Sequence, residues 1–267
     1  MNFGSQYLKQ MASTPRLDFF RVHDDLRSVS AVAHTISLSF SNDPLIRWLR
    51  PAAAPWMSQH TSTFNWQYRR VQRFISEGLV FQSAPVHQIA HLFPSNRQVS
   101  QNSAVIQKIP DSRDEKDAGI AIMLYPPSRQ IKWTIGRLLL IAKVWFLDLI
   151  SPVTDNGAKV KRVETLMKSH ENSLNAIRKR YDVNDLWYLE VLAVHPSLQG
   201  RGLGSMAMRW VLDRVQDSPI FLECTAEQNV KFYEKLGFEV VEKVDLTDEK
   251  DIAKVWLMFR QAQNLSS

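Results

Sequence analysis

Three glycines in five residues are the part of this sequence with the clearest chemical use: Gly200, Gly202 and Gly204, within Gln199-Gly200-Arg201-Gly202-Leu203-Gly204-Ser205. Glycine reaches positive φ without a Cβ clash and lets a ligand approach the backbone closely. A helix beginning at Gly202 puts its unanswered amide groups and the positive end of its dipole at one spot. That spot suits a phosphate. A tight strand-to-helix turn with no ligand explains the glycines equally well, because a short glycine run after a strand is a weak motif. Two nucleotide-binding patterns are excluded. A Walker loop ends Gly-Lys-Ser/Thr, whereas this one ends Gly204-Ser205-Met206. A dinucleotide fingerprint starting Gly200, Gly202 needs glycine where Ser205 stands.

Other reactive side chains are few. Glu190 lies in an apolar run, Trp187 to Val194, that reads as a strand. Strict alternation puts Tyr188, Glu190 and Leu192 on one face, opposite Leu189 and Val191. A carboxylate in apolar surroundings binds its proton more tightly, which suits a general base near neutral pH. A structural pairing with an arginine is the competing role. Tyr188 shares the face and can line the same site. Tyr233 can donate a proton, and its neighbour Phe232 points elsewhere on the helix. Asn229, four residues earlier, shares the face of Tyr233, although a residue at a helix start can equally be a cap. The lone cysteine, Cys224, rules out an intrachain disulfide and a multi-cysteine zinc site, and it reads as a small buried residue. His87 and His91 are four apart, but Val86 to Phe93 reads as a strand, where that spacing makes no compact metal site. No metal is expected. His195, before Pro196, reads as a turn residue.

These residues need a scaffold. Residues 1–16 read as a flexible segment. Leu17 to Val22 reads as a strand, and Asp24 or Asp25 caps a helix whose apolar positions recur from Leu26 to Phe40. Asn42-Asp43-Pro44 ends it. Pro55 to Gly78 is expected to be helical, Val86 to Phe93 and Gly119 to Tyr125 extended, and 113–117 a mobile polar loop. Residues 128–186 read as a mostly helical insertion. Then follow a strand (Trp187 to Val194), a helix (Gly202 to Val215), a strand (Pro219 to Thr225), a short helix (Gln228 to Leu236) and an antiparallel pair (Phe238 to Val244, Ile252 to Phe259). The order predicts an α/β or α+β fold in a single domain over 17–267.

The run Gln199-x-x-Gly202-x-Gly204 resembles motif A of the GNAT superfamily of N-acetyltransferases. The preceding strand, Tyr188 to Val194, resembles that family's splayed fourth strand. Asn229 to Phe238, with its Phe232-Tyr233 pair before Gly237-Phe238, resembles motif B. Together the matches cover about 186–260. The resemblance implies a mixed, mostly antiparallel twisted sheet flanked by helices, with the helical insertion 128–186 before the fourth strand. It implies that acetyl-CoA is the acyl donor. Its pyrophosphate would lie on the amides of Gln199, Gly200, Arg201, Gly202, Leu203, Gly204 and Ser205, and its pantetheine arm along Leu192, Ala193 and Val194. Asn229 would contact that arm. Glu190 would act as base, directly or through water, and Tyr233 as acid toward the leaving sulfur, with no covalent acyl-enzyme. The layout, with Asp43-Pro44-Leu45 followed by Arg47-Trp48, is similar to larger fungal-type members. That similarity implies a small amine acceptor in preference to a histone tail, with a protein amine still open. The acceptor pocket is expected between the N-terminal helices and the insertion, where Trp48, Trp56, Trp66, Trp133 and Trp145 offer aromatic walls.

Bulk properties fit this reading. The chain has 267 residues and a net charge of +6, which suits an anionic ligand such as coenzyme A. Its basic residues are scattered, with small clusters at Arg69-Arg70, 159–162 and 178–180, so a nucleic-acid stripe is not expected. The most apolar stretch, Ile135 to Ile150, is short for a membrane span and is broken by Arg137, Lys143 and Asp148. A buried or lid helix is expected there, with an interfacial helix as the lesser alternative. The N-terminus shows no secretory pattern, so a cytoplasmic location is expected, with the nucleus also open. Two rivals remain: a non-catalytic acyl-CoA-binding protein, and a regulator that binds nucleic acid or membrane through its basic insertion.

Overall fold

The computed structural model describes residues 16–51, 61–94, 116–130, 134–153, 157–216 and 218–262. Its elements are, in chain order, β1 (Phe19–Arg21), α1 (Leu26–Ser39), α2 (Pro44–Leu49), α3 (Thr61–Glu77), β2 (Leu79–Ser83), α4 (Val86–Leu92), β3 (Ile120–Tyr125), α5 (Ile135–Ile150), α6 (Val160–Tyr181), β4 (Trp187–Val194), α7 (Leu203–Val215), β5 (Ile220–Cys224), α8 (Glu227–Glu234), β6 (Glu239–Asp248) and β7 (Asp251–Arg260). The strands form one seven-stranded sheet ordered β1-β2-β3-β4-β5-β7-β6. Every pairing is antiparallel except β4 with β5. The expected mixed, mostly antiparallel sheet flanked by helices is therefore present. β7 lies between β5 and β6, so the closing hairpin folds back into the sheet.

Helices cover both faces. On one, α4 and α7 bury Val86, Ile89, Leu203, Ala207 and Val211 against Ile120, Leu189 and Leu222. On the other, α1 and α3 bury Val29, Val32, Ile36, Val71 and Phe74 against Ala121, Met123 and Val191. α6 adds Ile177 beside Phe221 and Phe259 on that second face. Arg162 fastens α6 to the hairpin: it is 1% exposed and pairs with Asp248 at 2.7 Å and Asp251 at 2.6 Å.

Asp25 caps α1 by accepting from the Ser28 N–H at 2.8 Å, and Asp43 caps α2 with Pro44 in its first turn. Three expectations are corrected. Val86–Leu92 is helix α4, because its buried positions, Val86 and Ile89, follow helical spacing. His87 and His91 therefore sit one helical turn apart. Among the described residues no cluster of three or more His, Cys, Asp or Glu can hold a metal ion. Leu79–Ser83, to which the sequence pattern assigns no element, is strand β2. Helix α5 is not buried, since Val144 is its one buried residue among those described. No described helix is long and apolar enough to cross a membrane. The segment 1–15 and most of the loop at 113–117 lie outside the described residues, but Asp117, at its end, is buried.

Candidate functional site

β4 and β5 pair over three residues only: Trp187 with Ile220, Tyr188 with Phe221 and Leu189 with Leu222. Beyond Leu189 the edge of β4 facing β5 has no strand partner among the described residues, and the two strands splay. The divergence begins at a bulge. Met123 stands opposite Val191 and Leu124 opposite Leu189, so Glu190 is an extra residue with no counterpart on β3.

The bulge overturns strict alternation. Leu189 packs with α7 on one face, whereas Val191 and Ala193 pack with α1 and α3 on the other. Leu192 and Val194 then join the α7 side, and Tyr188 packs with α6. Tyr188, Glu190 and Leu192 therefore do not share one face.

Glu190 is not surrounded by apolar groups. Its carboxylate accepts a hydrogen bond from the Arg70 guanidinium of α3. Arg70 also lies 5.8 Å from the Trp66 ring centre. Beside this pair is a second carboxylate, Glu223 of β5. It accepts from the Tyr188 hydroxyl at 3.0 Å and lies 3.1 Å from His170 Nδ1 of α6. Tyr188 stacks on Phe221 at 4.4 Å and parallel to Tyr125 at 6.0 Å. Burial and the nearby Glu223 and Glu190 charges push the Tyr188 phenol well above its usual range, so it stays protonated. Two carboxylates among aromatic rings form a place where a cationic amine is attracted.

His170 supplies a pH test. The bond from Glu223 raises its proton affinity, against an opposing effect of burial. A raised histidine pKa contributes stability that is fully present below about pH 6.5 and is lost as pH climbs through the folded-state value. His170→Gln should lower the urea midpoint at pH 6, and the deficit should shrink as the pH rises above about 6.5.

The glycine loop follows a one-turn 3-10 helix, Pro196–Leu198. Gly200 and Gly202 have φ of 78° and 77°, and Gly202 is the cap of α7. Ser205 and Met206 donate their N–H groups to the Gly202 carbonyl, at 3.1 and 3.2 Å. The N–H groups of Gly200, Arg201, Gly202, Leu203 and Gly204 have no acceptor among the described residues. A Cβ added at Gly202 meets nothing within 4 Å. An open cradle edged by donors at a helix N-terminus fits a pyrophosphate. Leu203 contributes only backbone, since its side chain is buried in the core.

Two loop side chains brace the cradle. Arg201 reaches across to the end of α4 and donates to the Phe93 carbonyl at 2.8 Å and the Ser197 carbonyl at 3.1 Å. Gln199 Nε2 donates to the Val194 carbonyl at 3.0 Å, and Ser39 Oγ donates to the same oxygen at 2.9 Å. Both lone pairs of that carbonyl are thus used within the protein.

Tyr233, on α8, lies at 4.9 Å from Phe232 and 5.9 Å from Phe238 by ring centres. Burial first, and then the nearby Cys224, push its phenol well above the usual range. It therefore keeps its proton at neutral pH. Asn229 is exposed in the first turn of α8, with its N–H on the Ala226 carbonyl at 2.9 Å. Cys224 is buried, burial raises its thiol, and its sulfur lies 3.2 Å from the Ala226 carbonyl, which suits a structural residue.

Arg70, Glu223, His170 and Tyr125 escape a reading of sequence because they meet Glu190 and Tyr188 only through the sheet and its covering helices. Asp43 is another such residue. It bridges to Thr225, just past β5, accepting from Oγ1, and burial raises its proton affinity against its three hydrogen bonds. Its sequence signal, Asp before Pro, announces a cap and nothing more. Of the tryptophans, Trp48 is core, Trp66 flanks Arg70, Trp145 is exposed, and Trp56 and Trp133 lie outside the described residues. His195 is not a surface turn residue. It is 2% exposed, with Nε2 3.5 Å from Asp117 and Nδ1 accepting from the Ser197 N–H at 3.3 Å.

Residues 174–238, which include β4, the loop, α7, β5 and α8, match the model of the acetyltransferase (GNAT) family. Solved structures share the whole fold at low identity. Arylalkylamine N-acetyltransferase 2 from Aedes aegypti has 12% identity and a TM-score of 0.54, with 93% of this chain and 100% of that one covered. A histone acetyltransferase HPA2-related acetyltransferase from Corynebacterium glutamicum has 15% identity and a TM-score of 0.52, with 95% and 100% covered. The Drosophila melanogaster polyamine N-acetyltransferase, which forms N-acetylagmatine, has 14% identity and a TM-score of 0.51, with 91% and 100% covered.

Proposed function

We propose that this protein transfers an acetyl group from acetyl-CoA to a small amine. The observation that carries the reading is the splay of β4 from β5 at the Glu190 bulge, with the unanswered N–H groups of 200–204 beyond it. The amides of the 199–205 loop hold the pyrophosphate. Leu192, Ala193 and Val194 offer the open edge of β4 to the pantetheine arm, though the Val194 carbonyl is already taken. Asn229 flanks that arm from α8.

The acceptor enters as an ammonium, drawn to Glu190 and Glu223 between the rings of Tyr125 and Tyr188. Glu190, held by Arg70, takes a proton from the amine directly or through water. The neutral nitrogen forms a bond to the thioester carbonyl carbon, and the carbon–sulfur bond breaks with its electron pair going to sulfur. Tyr233 delivers its hydroxyl proton to that sulfur, and the extra proton that the acylated nitrogen still carries is released through water and restores the phenol. The small-amine assignment is supported by the carboxylate–aromatic cluster and by the Asp43-Pro44-Leu45 layout similar to larger fungal-type members. The amine substrates named for the insect proteins of the same fold agree with it.

The test is coenzyme A release from acetyl-CoA with a panel of diamines, arylalkylamines and a lysine peptide. Turnover is expected on one of the small amines, and Glu190→Gln should lower kcat by about 10²–10⁴-fold. Binding of acetyl-CoA without turnover on any amine would favour a non-catalytic acyl-CoA binder. Absence of acetyl-CoA binding would sink the reading altogether.

A further inference from the structure

Helix α5 is turned inside out. Its charged residues pair with the rest of the protein. Arg137 donates to the backbone carbonyls of Ser76, at 2.5 Å, and Gly78, at 3.2 Å. Lys143 pairs with Asp24 at 2.5 Å, and Asp148 pairs with Arg69 at 3.0 Å and Arg73 at 2.6 Å. Its apolar residues face outward. Ile135, Leu138, Trp145, Phe146, Leu149 and Ile150 are each more than half exposed, Ile135 reaching 78% and Trp145 68%. At 3.6 residues per turn they fall within roughly 140° of the helix circumference. A continuous apolar stripe of this length is larger than the scattered apolar residues an isolated soluble surface carries.

A cationic cavity of about 820 Å³ flanks the stripe, and Leu139, itself 65% exposed, belongs to both. Arg21 from β1, Arg137 and Lys143 from α5, and Arg214 near the end of α7 line it. The arginines are close neighbours: after burial, Arg21 is a cause that lowers the proton affinity of both Arg137 and Arg214. Among the described residues the one acid in the lining, Asp24, is occupied by Lys143 and by Gln72 at 2.7 Å. Trp187, 5% exposed, also lines the cavity, and its indole N–H is buried with no acceptor among the described residues. A buried donor without a partner beside clustered arginines marks a place for an anion. Trp187 opens β4 and the glycine loop follows its other end, Val194, about 23 Å away at 3.3 Å per residue.

We propose that this face is a peripheral membrane-binding surface, with the α5 stripe seated in the interface of an anionic bilayer and the cavity taking the acidic part of a lipid headgroup. An apolar stripe alone fits a bilayer or another protein. Charge complementarity chooses the anionic bilayer: the cavity beside the stripe is cationic, and the chain carries +6. The cavity lies at the Trp187 end of β4 and the glycine loop follows the Val194 end, so docking leaves that loop open.

The experiment is co-sedimentation of the full chain with vesicles of phosphatidylcholine alone and of phosphatidylcholine with phosphatidylserine. Binding is expected to the second and to weaken with added salt. Trp145→Ser with Phe146→Ser should abolish it. Arg21→Ala with Arg214→Ala should weaken it by roughly tenfold or more while acetyl-CoA binding stays intact. No association at low salt, or association that neither variant pair alters, overturns the proposal. So does a dimer, seen by light scattering, that Trp145→Ser with Phe146→Ser dissolves, because the stripe would then be a subunit interface. These outcomes do not depend on acyltransferase activity.

Discussion

Tyr233→Phe should reduce kcat by about 10²–10⁴-fold, the usual range for removing one general acid, while leaving the KM for acetyl-CoA nearly unchanged. The substitution deletes one oxygen and keeps the ring, so its packing beside Phe232 and Phe238 is retained. Burial and Cys224 hold the phenol protonated far above neutral pH, which is the state an acid must be in to donate. The loss should be larger with acetyl-CoA than with an acyl donor whose leaving group is a weaker base and needs no proton. Steady-state coenzyme A release with both donors measures this. Equal losses on both would remove the proton-donor role and leave Tyr233 a packing residue.

Gly202→Val should act on binding. Gly202 has φ of 77°, a region where a β-branched residue is strained by about 1–3 kcal/mol. The chain can relieve that strain only by turning the loop, which swings the amides of 200–204 away from a common point. A hydrogen bond to a charged group contributes about 1.5–3 kcal/mol, so losing two raises the KM for acetyl-CoA by about 10²-fold or more. kcat at saturation should change little. Gly204→Ala is the control, because an added Cβ there meets its nearest atoms, from Phe232 and Val194, at 4.0 Å. If Gly202→Val lowers thermal stability yet acetyl-CoA affinity is unchanged, the glycines serve a turn and nothing else.

What could be read from the sequence follows how local each feature is. Strand Trp187–Val194, helix α7 and the hairpin β6–β7 are carried by short-range periodicity and by glycine and proline punctuation, and their bounds were legible within a few residues. Val86–Leu92 is ambiguous in sequence because a seven-residue segment with apolar positions at 86, 89, 90 and 92 fits either period, and only its burial within the core of α7 and β3 decides for a helix. The exposure of α5 was illegible for a similar reason. An amphipathic pattern shows that a helix has two faces, but which face meets the protein depends on partners such as Asp24, Arg69 and Arg73, all far away in the chain.

The glycine loop shows the division most clearly. The sequence by itself determined that residues 199–205 form a strand-to-helix turn rich in amide donors, because glycine spacing and a helix start are local facts. Tertiary structure alone decided that β4 parts from β5 beside it, that Glu190 is a bulge residue clasped by Arg70, and that Tyr188 and Leu192 lie on opposite faces. A bulge comes from the register between two strands, and register is settled only when distant segments pack, so no spacing within one strand announces it.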